Sequence, residues 1–188
     1  IGAIESGINS GHVRIYRWNG TAWIQLGSDI DGEAAHDHSG KGVSLSTDGT
    51  IVAIGAPLND GNGDISGHVR VFQWNGTTWN QLGSDIDGEA AEDRSGETGV
   101  SLSGDGTLVA IGAHQNDGNG SGSGHTRIYQ WGGSDWVQIG SDIDGEAAGD
   151  QSGYGVSLSR DGTTVAIGAK YNDGNGNNSG HVRVFAVT

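Results

Sequence analysis

The chain has 188 residues, with 37 Gly, one Pro, no Cys, no Met and six Trp; 33% are hydrophobic and 17% charged. Nine basic residues stand against 23 acidic ones, for a formal charge of -14. That balance excludes a nucleic-acid backbone or an anionic membrane as partner, since both need a basic face. Gly without an every-third period excludes collagen, and regularly spaced Trp excludes disorder. No apolar run reaches the ~18 residues of a membrane span, so membrane insertion is not expected. Without Cys there is no disulfide framework. The chain opens on Ile1-Gly2-Ala3 without Met, as expected of a mature product or a fragment.

So few hydrophobic residues suit many short strands in thin stacked sheets better than one thick core. The Gly-His pair recurs at Gly11-His12, Gly67-His68, Gly124-His125 and Gly180-His181, 56, 57 and 56 residues apart. A fixed period of this length marks a repeat architecture. The extra residue lies in Ser95-Gly96-Glu97-Thr98-Gly99.

Each unit predicts four strands. His12–Trp18 alternates with period two and is rich in β-branched and aromatic residues. Asn19-Gly20 predicts a type I′ hairpin into Trp23–Leu26, repeated as Trp74-Asn75-Gly76-Thr77-Thr78-Trp79, and with Gly132-Gly133 between Trp131 and Trp136. A loop is expected from Ser28 to Gly42. Gly42–Ser46 is the third strand, and Asp48-Gly49 turns it into Ile51–Ala56. That last run is apolar at successive positions, as in a strand covered on both faces. The Asn-Asp-Gly-Asn-Gly loop at 59–63, 116–120 and 172–176 has the composition of tight turns.

Four antiparallel strands per unit, one of them apolar on both sides, describe an all-β propeller blade of about 56 residues. The chain holds about 3.4 such units. They divide into a partial blade 1–30, blades 39–86 and 95–143, and a partial blade 152–188. A partial or oligomer-completed propeller is expected, with open edges that invite self-association.

Ser152–Ser159, then Val165–Ala169, then Gly180–Phe185 resemble the FG-GAP repeat, which builds the propeller of integrin α subunits and of some lectins. Ser39–Phe72 and Ser95–Tyr129 show the same order, and Gly55-Ala56-Pro57 matches the GAP letters. The resemblance implies that Val43–Leu45 is innermost and Trp23–Gln25 outermost in a blade. It also implies adhesion or surface assembly. The family's calcium loop lies between the FG and GAP strands, where this chain has only Thr47-Asp48-Gly49-Thr50, too short to wrap a cation.

The candidate metal residues are those of the acidic loop: Asp29, Asp31, Glu33 and Asp37; Asp85, Asp87, Glu89 and Asp93; Asp142, Asp144, Glu146 and Asp150. Alternate carboxylates around a Gly turn are what a Ca²⁺ loop uses. The competing reading is that they cap turns or pair with Arg14, Arg70, Arg127 and Arg183, tying blade to blade. The candidate ligand-binding residues are the paired Trp18 and Trp23, Trp74 and Trp79, Trp131 and Trp136. Sugar rings stack on exposed Trp, while aromatic pairs across a hairpin also stabilise the ribbon. The four His lie one per blade, so a hydrogen bond to a neighbouring blade's loop is expected of each rather than a metal shared among them.

No nucleophile–base pair stands out, and every polar cluster comes in near-identical copies. The expected function is therefore a non-enzymatic extracellular or cell-surface interaction module, calcium-stabilised, with self-association or protein binding. The alternative is a lectin binding glycan at one site per blade. A residue cluster at the propeller axis that differs between blades would favour an enzyme using the central channel instead.

Overall fold

The computed structural model describes residues 1–3 and 8–187. Among these residues there is no helix, and the strands form successive antiparallel sheets. The second blade is built from β6 (Gly42–Leu45), β7 (Ile51–Ala56), β8 (His68–Trp74), β9 (Trp79–Gln81) and β10 (Ile86–Asp87). The third repeats it as β11 (Val100–Leu102), β12 (Leu108–Ala113), β13 (His125–Trp131), β14 (Trp136–Gln138) and β15 (Ile143–Asp144).

The first blade has β1 (Gly2–Ala3), β2 (His12–Val13), β3 (Tyr16–Trp18), β4 (Trp23–Gln25) and β5 (Ile30–Asp31). The fourth has β16 (Ser152–Leu158), β17 (Thr164–Ala169) and β18 (His181–Ala186). The first blade therefore lacks a counterpart of β6, and the fourth lacks counterparts of β9 and β10. In the partial first blade Gly2–Ala3 pairs with His12–Val13 as β7 does with β8, and Ile4 lies outside the described residues.

Two local expectations are corrected. The loop placed between Ser28 and Gly42 contains a strand: Ile30–Asp31 pairs with His12–Val13, so the outer edge of a blade is two short pieces. Ile86–Asp87 and Ile143–Asp144 do the same. The hairpin is not a two-residue type I′ turn either. Trp18 pairs directly with Trp23, leaving a four-residue loop closed by Asn19 N–H to the Ala22 carbonyl at 3.1 Å. Gly20 takes a φ of 102°, while the Asn19 side chain accepts N–H groups from Thr21 and Ala22. Asn is there as a side-chain cap rather than for a left-handed backbone.

The apolar positions sort by period two into cores between blades. Val52 and Ile54 of β7 pack on Val13, Ile15 and Ile30 of the first blade. Ile51 and Ala53, on the other face of the same strand, join Val100, Val109 and Ile111 of the third. A third core joins Ile128 to Leu158, Val165 and Ile167. This two-sided burial is why β7 and β12 read as continuous apolar runs, whereas in β17 only alternate residues are fully buried. The serines of the inner strands make cross-blade bonds: Leu102 N–H donates to Ser44 Oγ and Leu158 N–H to Ser101 Oγ, each at 2.9 Å.

The outermost faces are apolar and uncovered. Val182 and Val184 of β18 are each 65% exposed, whereas their equivalents Val69 and Val71 are 0% and 1% exposed. At the other end Ile1 and Trp23 are 80% and 66% exposed.

Candidate functional site at the blade junctions

Alternation along β8 sends Val69 and Val71 toward the third blade and His68, Arg70 and Phe72 toward the first. The Arg70 guanidinium lies over the Phe72 ring at 5.3 Å. It donates from Nη2 to the Asp31 carbonyl at 2.8 Å and places Nη1 3.4 Å from Glu33 Oε1. His68 Nδ1 lies 4.0 Å from Glu33 Oε2 and 3.7 Å from Asp85 Oδ2. Gln81 Nε2 donates to the other oxygen of Asp85 at 2.6 Å and fixes that carboxylate.

The third blade repeats the arrangement on the second. Arg127 donates to the Asp87 carbonyl at 2.7 Å and faces Glu89 at 3.5 Å. His125 Nδ1 lies 3.6 Å from Glu89 and 3.8 Å from Asp142, which Gln138 holds at 2.7 Å. Burial pushes His68 and His125 below the ordinary imidazole pKa, more strongly than the nearby carboxylates pull them up. The end blades show what each part needs. His181 faces Glu146 at 3.6 Å, but the fourth blade has no outer strands to supply an Asp. In the first blade no preceding Glu is present, and Arg14 turns to its own Asp29 with contacts of 2.7–2.9 Å. That pair, with Gln25, lowers the Asp29 pKa to about 2.

The carboxylates of one acidic loop thus separate. Glu33 reaches forward to the next blade, and Asp29 stays with its own. Asp31, Asp87 and Asp144 lie on short strands and offer backbone carbonyls to the next Arg. Asp37, Asp93 and Asp150 are buried caps. Asp37 accepts the Ala34 N–H and the Asn59 side-chain amide, each at 3.0 Å, and the other two bind Asn116 and Asn172 in the same way. In the Asn-rich loop, Asp60 Oδ1 accepts the Ile65 N–H, which is turn chemistry. The His of Gly-His, expected to bond a neighbouring blade's loop, faces acidic-loop carboxylates of its own and the preceding blade at 3.6–4.0 Å. Its constant two-residue offset from Arg, on one strand face, was the available signal.

The paired Trp stack across each hairpin with ring centroids 5.3–5.5 Å apart. Trp79 Nε1 donates to the Leu26 carbonyl of the preceding blade at 2.9 Å, and Trp136 Nε1 to Leu82 at 2.8 Å. Trp136 is 8% exposed, whereas Trp18 and Trp23, with no blade before them, are 51% and 66% exposed.

One polar cluster does not repeat. It lies at the ends of the inner strands where Lys41, Glu97 and Tyr154 occupy comparable places. Lys41 pairs with Glu97 Oε1 at 2.5 Å, and His114 Nε2 lies 3.3 Å from Glu97 Oε2. His114 meets Tyr154 edge-on at 5.3 Å, and Lys170 sits 3.5 Å above the Tyr154 ring. The cluster ties three blades together, and the extra residue of the repeat period follows Glu97 directly.

The repeat geometry agrees with sequence comparison. Residues 30–72 and 142–185 match the sequence model described as the FG-GAP repeat. Two segments of the chain thus match the FG-GAP repeat. No curated protein matches it. Among solved structures, a candidate 6-phosphogluconolactonase from Bacteroides uniformis is similar at 11% identity and a TM-score of 0.57, over 96% of this chain and 52% of that one. That likeness shows the fold alone. The hydrazine synthase of Kuenenia stuttgartiensis aligns at 13% identity and a TM-score of 0.49, over 85% of this chain and 48% of that one. The chain spans about half the length of these structures.

Proposed function

We infer that this chain is a non-enzymatic extracellular interaction module whose end faces associate with further copies of itself. The observation that carries the reading is the pair Val182 and Val184, exposed on β18 although the same positions are buried at internal junctions. At internal junctions this face receives another blade, and the cleft of about 450 Å³ lined by Ile1, Ile15, Tyr16, Val43 and Leu45 is a second apolar surface. FG-GAP repeats support an extracellular or cell-surface setting and an adhesion or assembly role. The non-enzymatic part rests on polar groups that recur at every junction and hold blades together. The one unlike cluster is closed on itself through Glu97, with Lys41 on one oxygen and His114 facing the other.

Native mass measured over a range of protein concentrations tests the association. A mass that rises with concentration, and returns to that of one chain in Val182→Glu/Val184→Glu, is the expected result. A monomeric mass throughout would sink the idea. The second reading, glycan binding, is favoured at one place by the exposed Trp18–Trp23 pair. A glycan array showing binding that Trp23→Ala removes would establish it.

A further inference from the structure

The acidic loops meet a nitrogen rather than more oxygens, and this bears on which cation suits them. At each complete junction a His, an Asp of the same blade and a Glu of the preceding blade place one ligand atom each within 4.8 Å of one another: His68, Asp85 and Glu33, then His125, Asp142 and Glu89. Both His are 1% exposed. Neither ring makes a hydrogen bond: Nε2 is buried without a partner, and Nδ1 faces two carboxylate oxygens at 3.6–4.0 Å. Those separations exceed hydrogen-bond reach. They are close to the spacing of two ligands on one ion, since bonds of about 2.0–2.2 Å put tetrahedral ligands about 3.3–3.6 Å apart and wider angles spread them further.

We propose that each complete blade junction is a binding site for a divalent cation of the zinc class, held by His Nδ1 and two carboxylates from adjacent blades. Ca²⁺ takes six to eight oxygens, whereas an N/O set with three protein ligands is the pattern of an open Zn²⁺ site. Arg70 and Arg127 contact the Glu oxygen that the ion does not use, and Gln81 and Gln138 hold the second oxygen of each Asp. These partners orient the carboxylates, as outer groups do around metal sites. Burial also keeps the imidazoles neutral, the form that ligates. The first blade's group of His12, Asp29 and Asp31 is blocked by the Arg14 guanidinium, which occupies both oxygens of Asp29. The fourth blade has His and Glu but no Asp. Among the described residues, the junctions of His68 and His125 carry the full set.

This inference stands apart from end-face association, and its test has a separate readout. Metal-stripped full chain is titrated with Zn²⁺ by calorimetry and with Co²⁺ by visible absorption, with Ca²⁺ in parallel. We expect two equivalents of Zn²⁺ per chain, tetrahedral-type Co²⁺ bands and a higher melting temperature. His68→Ala and His125→Ala should each remove one equivalent. Because loss of a buried ring can loosen a junction, Asp142→Asn serves as the isosteric check and should weaken one site at least tenfold. Absence of Zn²⁺ heat and of Co²⁺ bands would overturn the proposal. So would Ca²⁺ binding at the same stoichiometry that persists in both His variants. Native mass is read on the same samples, so failure here leaves the association result intact.

Discussion

The Gly of the GAP motif has a partner that explains it. A Cβ on Gly112 would lie 1.9 Å from the Gly153 carbonyl oxygen of the next blade, and one on Gly55 would lie 2.0 Å from that of Gly96. The sheets approach backbone to backbone at this point, so no side chain fits. Gly168 occupies the same position in the fourth blade, where the nearest atom to its Cβ is 3.6 Å away and belongs to Gly155. Gly112→Ala should therefore cost at least about 2 kcal/mol, as forced overpacking does. Gly168→Ala should stay within about 0.5 kcal/mol as an ordinary surface change. Urea unfolding of the two variants checks this. A Gly112→Ala protein as stable as the parent would mean that the blades are further apart than described. Strand periodicity announced a Gly in an apolar run, but only the neighbouring backbone shows why it is there.

At the scale of the element, the Trp–Trp hairpin is local in its folding and non-local in its attachment. Its four-residue loop closes by Asn side-chain bonds two and three residues away, where the sequence points to a type I′ backbone turn. Its second Trp then reaches a carbonyl 53 or 54 residues earlier. Trp136→Phe should lose about 1 kcal/mol or somewhat more, the usual net worth of a buried hydrogen bond with some packing loss. Trp23→Phe, with no blade before it, should change the thermal midpoint little. Equal losses in the two variants would argue that cross-strand stacking dominates. The strand sequence was legible here, including the aromatic register. The split outer edge was not, because Ile30–Asp31 is too short to show periodicity and is set by pairing to His12–Val13.

For the whole molecule, acid should weaken the stack in two stages. Burial holds His114 below the ordinary 6.5, with Glu97 opposing and Lys170 assisting. Below that value the unfolded chain takes a proton that the folded one refuses, so stability falls with pH. The limit for one such group is about 1.4 kcal/mol per pH unit. Urea midpoints in EDTA at pH 7 and pH 5 should differ, and His114→Gln should flatten the slope. In the second stage, Asp48, Asp105 and Asp161 are held below the ordinary 3.8 by turn N–H and hydroxyl donors. What they contribute is present above that value and is lost as pH falls through their lowered pKa values. A melting temperature that is flat down to pH 3 would contradict this.

By itself, the sequence determined the repeat period, the order of strands, the Asn-Gly and Asp-Gly turns, and which strand is covered on both faces. These are local properties, carried by alternation and by residues that favour one backbone shape. The FG-GAP order followed from the same short-range pattern. The tertiary structure alone decided that Arg70 and His68 meet Glu33 of the preceding blade, that Asp37 is a buried cap, and that Trp79 reaches Leu26. Alternation tells which face a side chain takes but not what stands opposite. Those partners lie more than 20 residues away in the chain and come together only when one thin sheet is laid on the next.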